Sequence, residues 1–265
     1  MKVLVIGAHP DDCEYRFGGT AAKFVELGHA VKFVSLTNGD AGHHAQGGAT
    51  LARRRKAEAE EAARRLGVTA CDVVDNHDGE LEPTLENRRE IIRMIREWKA
   101  DVVLTHRPND YHPDHRYAGL LVEDSAFLVT VPNICPATPA LRENPVFLYL
   151  EDDLQKPAPF SPGVVVEIDS TWGKKVDSLD AHESQFYEWL PWLAGKLDEV
   201  PKSPDERRQW LSRWLRERLK NDFRDALERR YGADRARGIE LAEAFELCEY
   251  GRQLSPEELS EMFPR

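Results

Sequence analysis

Val3-Leu4-Val5-Ile6-Gly7-Ala8-His9-Pro10-Asp11-Asp12 sets a short apolar run directly against a cluster of polar side chains. Four aliphatic residues in succession predict a strand buried on both faces. Gly7 ends it, and an imidazole and two carboxylates follow. Pro10 fixes its own φ and keeps His9 out of the helical region, so a tight, rigid turn is expected at the strand's C-terminal end. His9 and Asp12 can then converge on one point with Asp11 beside it, which is the donor chemistry of a metal site. A turn in which Asp11 or Asp12 caps the following helix, with His9 in water, would use the same residues.

A second stretch repeats the arrangement. Val102-Val103-Leu104-Thr105 is another short buried-type strand, and it runs into His106-Arg107-Pro108-Asn109-Asp110-Tyr111-His112-Pro113-Asp114-His115. Pro113 suits a first helical position, which puts His115 in the opening turn of a helix. Ligands of open parallel sheets bind beyond the carboxyl ends of the strands, where strand order reverses. If these two strands flank that reversal, both polar turns empty into one crevice and share one metal.

The remaining pattern alternates short strands (2–7, 30–36, 71–75, 101–105, 146–150) with longer helices (17–28, 50–66, 84–98, 114–129). That alternation predicts an α/β fold, a Rossmann-like doubly wound and mostly parallel sheet. No Gly-x-Gly-x-x-Gly follows the first strand, which argues against a dinucleotide. The 37–49 loop, with Gly39, Gly42, His43, His44, Gly47 and Gly48, is expected to be mobile and able to close over a substrate, its histidines solvated. Prolines punctuate 131–163, and 164–168 reads as a late edge strand. Beyond Trp172 the pattern reads as helical to the end; Ser203 or Asp205 starts one helix after Pro201. A single α/β domain over 1–265 is expected, with 191–265 as a helical C-terminal extension.

Hydrophobic residues make up 41% of the chain, charged residues 31%, and the formal charge is −11. That balance suits a globular protein and argues against nucleic acid as a partner. Without a leader-like start or a long apolar run, the expected location is cytoplasmic with no membrane span. Cys13, Cys71, Cys135 and Cys248 have no paired spacing, so reduced structural thiols are expected.

Ala8-His9-Pro10-Asp11-Asp12-Cys13-Glu14 with Gly18-Gly19-Thr20, and the later His112-Pro113-Asp114-His115, resemble the zinc-dependent LmbE / PIG-L deacetylase family. Leu36-Thr37-Asn38-Gly39-Asp40, Arg55-x-x-Glu58, Leu66-Gly67, Asp78-Gly79 and His182-x-Ser184-Gln185 extend the match over about residues 1–190.

The resemblance implies zinc, or another divalent metal, held by His9, Asp12 and His115, with Asp11 as general base. It implies His112 as the group that polarises the amide oxygen or stabilises the oxyanion, as imidazolium if Asp114 or Asp110 raises its pKa. Arg55 and Asp78 match positions that line the sugar site, although an Arg55–Glu58 surface pair and a turn-forming Asp-Gly would also explain them. His182 is expected to close the site from the rear or to be a core histidine. Asp110 stands where some relatives carry a tyrosine that helps the oxyanion, and Tyr111 comes one residue later.

The implied activity is hydrolysis of the N-acetyl group of an amino sugar or glycoconjugate. Relatives often assemble into homo-oligomers, trimers or hexamers. A zinc amidase acting on a larger acyl or thiol-conjugate amide has the same ligands, and two histidines with one carboxylate also suit non-heme Fe(II).

Overall fold

Lys2–Gly7 forms β1, and its side chains divide strictly between the two faces of a sheet. Val3 and Val5 join one core cluster with Phe17, Phe24 and Trp214, while Leu4 and Ile6 join another with Ile91, Ile95 and Leu121. A strand covered on both faces needs helices on both sides, and the computed structural model, which describes residues 1–219 and 223–265, supplies them. The Asp205 side chain, one of the two expected helix starters, also lies outside the described residues. Ser203 precedes the helix Pro204–Arg218 without a side-chain cap.

Besides β1, six strands complete the sheet: β2 (Ala30–Ser35), β3 (Ala70–Val73), β4 (Val102–Thr105), β5 (Val146–Leu150), β6 (Val164–Glu167) and β7 (Ala242–Gly251). Their order is β3-β2-β1-β4-β5-β7-β6, parallel from β3 through β5. The order reverses between β1 and β4, where Ile6 pairs with Thr105. The turn at His9 and the loop at His106 therefore leave the sheet side by side, as the two apolar runs required.

Helix α1 (Asp12–Glu26) begins directly from the first turn, five residues before the expected start, because Asp11 N and Asp12 N both donate to His9 O and bend the chain into the helix. The main helices that follow are α2 (Gly48–Leu66), α3 (Leu85–Trp98), α4 (Pro113–Ala126) and α5 (Trp172–Asp180).

The expectation of an all-helical tail fails at β7. Ala242-Glu243-Ala244-Phe245-Glu246-Leu247 is built from good helix formers, yet it pairs antiparallel with both β5 and β6. Tertiary context overrides local preference here, since the gap between two strands offers a full ladder of hydrogen bonds on each side.

The strand's one buried acid shows how it is held. Glu243 accepts from Gly19 N at 2.9 Å and Thr20 N at 2.8 Å, and Lys175 Nζ lies 2.7 Å away. The C-terminal segment is thus tied to α1 and α5. Removing the acid leaves the Lys175 ammonium buried and unpaired. Glu243→Ala is expected to destabilise the protein by about 3–5 kcal/mol, read as a lowered urea midpoint.

Candidate metal centre and substrate cavity

Asp12 shapes the first turn. Its Oδ2 accepts from Ala8 N at 3.0 Å and His9 N at 2.7 Å, folding the carboxylate back over the end of β1. Gly7 permits this, because a Cβ there would meet Asp12 Cβ at 2.7 Å. From the β2 side, Thr37 N and Thr37 Oγ1 both donate to Ala8 O, at 2.8 and 2.9 Å, and Ser35 Oγ donates to His9 O. The backbone at Ala8 and His9 is thus pinned both within the turn and from β2 and the residues that follow it.

The second motif opens α4. His112 is its N-cap, with Nδ1 accepting from Asp114 N at 3.2 Å, and Pro113 takes the first helical position. His115 then lies one turn in, facing His9: His9 Nδ1 and His115 Nε2 are 3.2 Å apart. Asp12 Oδ2 stands 3.5 Å from His9 Nδ1, and Asp12 Oδ1 stands 3.6 Å from His115 Nε2. Donors bound at about 2.0–2.2 Å around a tetrahedral ion are separated by about 3.3–3.6 Å, so these three fit one cation.

Three further sets of donors gather at the same point: His112 with His9 and His115, His9 with Asp78, His112 and Asp114, and Asp12 with His106 and His115. Hydrogen bonding distinguishes them. Asp114 accepts from Gly79 N at 2.7 Å and Leu81 N at 3.2 Å, and its Oδ2 lies 3.3 Å from His9 Nε2, so it orients that imidazole from behind. His112 has spent Nδ1 on its helix cap, which leaves a neutral ring with Nε2–H free to donate.

The electrostatics follow from crowding. Burial alone would lower the His9 pKa, but hydrogen bonds with Asp114, Asp12 and Asp78 raise it well above the usual value. Three carboxylates thus favour positive charge at this point. Burial would raise Asp12, yet His115 and His106 beside it hold its carboxyl well below the ordinary range. Asp11 goes the other way: burial pushes it up to about 6, against the pull of Arg55. Adjacent acids with opposite shifts are suited to opposite roles, a permanent anion and a proton acceptor.

The other expected site residues fall at varied distances from the chemistry. Arg55 is buried, and its guanidinium reaches Asp11 Oδ1 at 3.1 Å, Gly39 O at 3.1 Å and Pro10 O at 3.3 Å. It is therefore a clamp on the acid turn, with Asp78 3.6 Å away on its other side, rather than a surface partner of Glu58. Asp78 also lies 3.1 Å from His9 Nε2. Asp110 Oδ1 accepts from His112 N at 3.0 Å and stands 3.0 Å from His115 Nδ1, so it faces His115. Asp114 faces His9. Burial, His9 and His115 lower the His112 pKa and outweigh Asp114, which still raises it; this favours a neutral donor over the imidazolium expected there.

His182 is fully buried, 3.6 Å from Glu14 Oε1, and is not part of the cavity wall. Tyr111 is 76% exposed at the cavity's rim, its ring 5.5 Å from that of His115.

Sequence reading passed over His106. It follows β4 immediately, stacks on His115 with centroids 4.1 Å apart and an interplanar angle of 7°, and brings Nε2 to 3.1 Å from Asp12 Oδ2. Burial and His115 push its pKa down to about 4, so it is neutral at physiological pH. The signal was available, since a histidine at the C-terminal end of a buried strand occupies the same position as His9. The 37–49 loop also departs from expectation. His43 is bound to Glu188 at 2.8 Å and Gln185 Nε2 donates to Gly42 O, so the loop is pinned at these two residues, while His44 is exposed as expected.

His9, Asp11, Asp12, His106, His112 and His115 open onto a cavity of about 790 Å³. Its other walls come from residues 150–154 and from the aromatic residues Phe186, Trp189 and Trp214.

Residues 4–126 match the family model for PIG-L, GlcNAc-PI de-N-acetylase. Diacetylchitobiose deacetylase of Thermococcus kodakarensis is 34% identical over 208 residues, 72% of this chain and 74% of that one. A 4-oxalmesaconate hydratase of Pseudomonas putida is 25% identical over 71% of this chain and 75% of its own. The solved structure of N,N'-diacetylchitobiose deacetylase from Pyrococcus horikoshii superposes with a TM-score of 0.70 at 26% identity, covering 93% of this chain and 83% of that one. The chain belongs to the PIG-L (LmbE-like) family. No helix among the described residues is long and apolar enough to cross a membrane.

His106 Nε2 stands among the possible ligand atoms with Asp12 and His115, but it already accepts from Ala8 N at 3.1 Å. His106→Ala is expected to weaken divalent-metal affinity by about 10–100-fold, measured by competition with a chelator, while the circular dichroism spectrum stays native.

Proposed function

We propose that this protein is a zinc-dependent hydrolase that removes the acetyl group from an N-acetylated amino sugar or glycoside, releasing acetate and a free amine. One observation carries the reading: His9 Nδ1, His115 Nε2 and the Asp12 carboxylate stand 3.2–3.6 Å apart, and a second acid, Asp11, flanks them on the same turn. His9, Asp12 and His115 would hold the metal, whose chemistry is to make water nucleophilic near neutral pH.

The chain's own groups account for the remaining steps. Asp11, held by Arg55 and raised by burial to about 6, accepts the proton of the attacking water. The same carboxylic acid returns that proton to the departing nitrogen as the C–N bond breaks. His112 presents Nε2–H to the oxygen that gains negative charge, because its Nδ1 is committed to Asp114 N. Asp110 and Asp114 fix the two imidazoles on which the metal depends.

The likeness to diacetylchitobiose deacetylases supports an N-acetyl sugar as substrate. The hydratase relative is why a second reaction, addition of water to a carbon–carbon double bond, belongs in the same assay. Acetate release from N-acetylglucosamine and N,N'-diacetylchitobiose is the expected positive. Turnover of an unsaturated dicarboxylate without acetate release would replace the hydrolase reading, and oxygen uptake by iron-loaded protein would point to Fe(II) chemistry.

Asp11→Asn is expected to lower kcat by about 10²–10⁴-fold while zinc content measured by elemental analysis stays near one per chain. Chelation is expected to abolish acetate release, and added zinc to restore it.

A further inference from the structure

The aromatic residues beyond α5 form a structure that the chemistry of the acid turn does not use. A π-helical turn, Ser184–Trp189, leads into the short helix α6 (Leu190–Leu193). Wide turns of this kind are uncommon and often mark functional positions. This one is anchored from α2: Ser184 N and Oγ donate to Glu58, and Arg54 grips Glu188 through both terminal nitrogens at 2.8 and 2.6 Å. With Ser184 and Glu188 anchored to α2, the turn presents Gln185, Phe186 and Trp189 to the cavity.

Trp189 ends a continuous stack of rings. His43 stacks on His44 with centroids 4.6 Å apart, His44 on Trp192 at 5.2 Å, and Trp192 on Trp189 at 5.3 Å, with interplanar angles of 20°, 8° and 13°. The stack starts in the pinned loop and runs through Trp192, which is 47% exposed, to the cavity wall. Trp192 covers one face of Trp189, and among the described residues no second ring stacks on it. The cavity, at about 790 Å³, is in the range that holds a drug-sized ligand and has room well beyond one N-acetylhexosamine. Pyranose rings have apolar C–H faces that pack on flat aromatic surfaces, and a ring held rigidly from behind loses little entropy in receiving one. Glu151 lines the same cavity and offers an acceptor for ring hydroxyls.

Resting on the deacetylase reading, we propose that Trp189 is the specificity-determining residue of a second-sugar subsite, on which the non-reacting pyranose of a longer substrate stacks. The binding is made equally in ground and transition states, so its loss raises KM and leaves kcat nearly unchanged.

The test compares N-acetylglucosamine with N,N'-diacetylchitobiose on zinc-loaded protein, scoring acetate release. Wild type is expected to favour the disaccharide in kcat/KM. Trp189→Leu, which keeps apolar volume without a ring, is expected to raise KM for the disaccharide about tenfold, with a rise for the monosaccharide at least several-fold smaller. Trp189→Phe is expected to recover most of the loss. Equal rises for both sugars, full activity in the Leu variant, or no wild-type preference for the disaccharide would overturn the subsite. Absence of acetate release from either sugar by wild type would instead overturn the deacetylase reading beneath it.

Discussion

A single carboxylate oxygen organises the centre of this molecule. Asp12 Oδ2 takes hydrogen bonds from two successive backbone amides, Ala8 and His9, and lies against His106 from the neighbouring strand. The first contacts curl the chain at the end of β1 and deliver His9 inward. The last joins the exits of β1 and β4, which the reversal of strand order has already set side by side. Any geometry in which His9 and His115 share a cation depends on that oxygen being ionised and fully engaged. The absence of a side chain at Gly7 is what gives it room.

The acids around this point repel one another and must be held apart by specific partners. Asp12 is kept anionic by imidazoles, Asp114 by His9 and two backbone amides, whereas burial outweighs the single guanidinium beside Asp11 and raises it to about 6. Arg55 must itself be shielded from water to do this, and α2 carries it under the 37–49 loop, where Gly39 has no Cβ to obstruct it. Neighbouring carboxylates of the same intrinsic acidity thereby acquire different proton affinities. A hydrolytic site needs that difference, since one group must stay charged while another cycles its proton.

The cavity is built from two ends of the chain. Its polar floor comes from the first 115 residues, where strand ends and helix starts fix each side chain. Its aromatic wall comes from residues 186–214, held down by ion pairs to α2 and by the strand β7 that ties the tail into the sheet.

The sequence alone determined the parallel core and the meeting of the two polar turns, because both rest on local facts: runs of aliphatic residues buried on two faces, and prolines that fix the turns after them. The start of α4 at Pro113 was equally local. Tertiary structure alone decided the rest. Ala242–Gly251 became a strand although its residues prefer helix, because the gap beside β5 offered hydrogen bonds that no local preference could outweigh. His106 entered the site through a stacking partner in α4, nine residues away in sequence, and Arg55 turned from a helix surface onto Asp11. The His112 pKa fell because burial and the imidazoles of His9 and His115 outweigh the pull of Asp114. Each of these outcomes depends on which groups are brought within hydrogen-bonding distance across the fold, and spacing along one chain does not encode that.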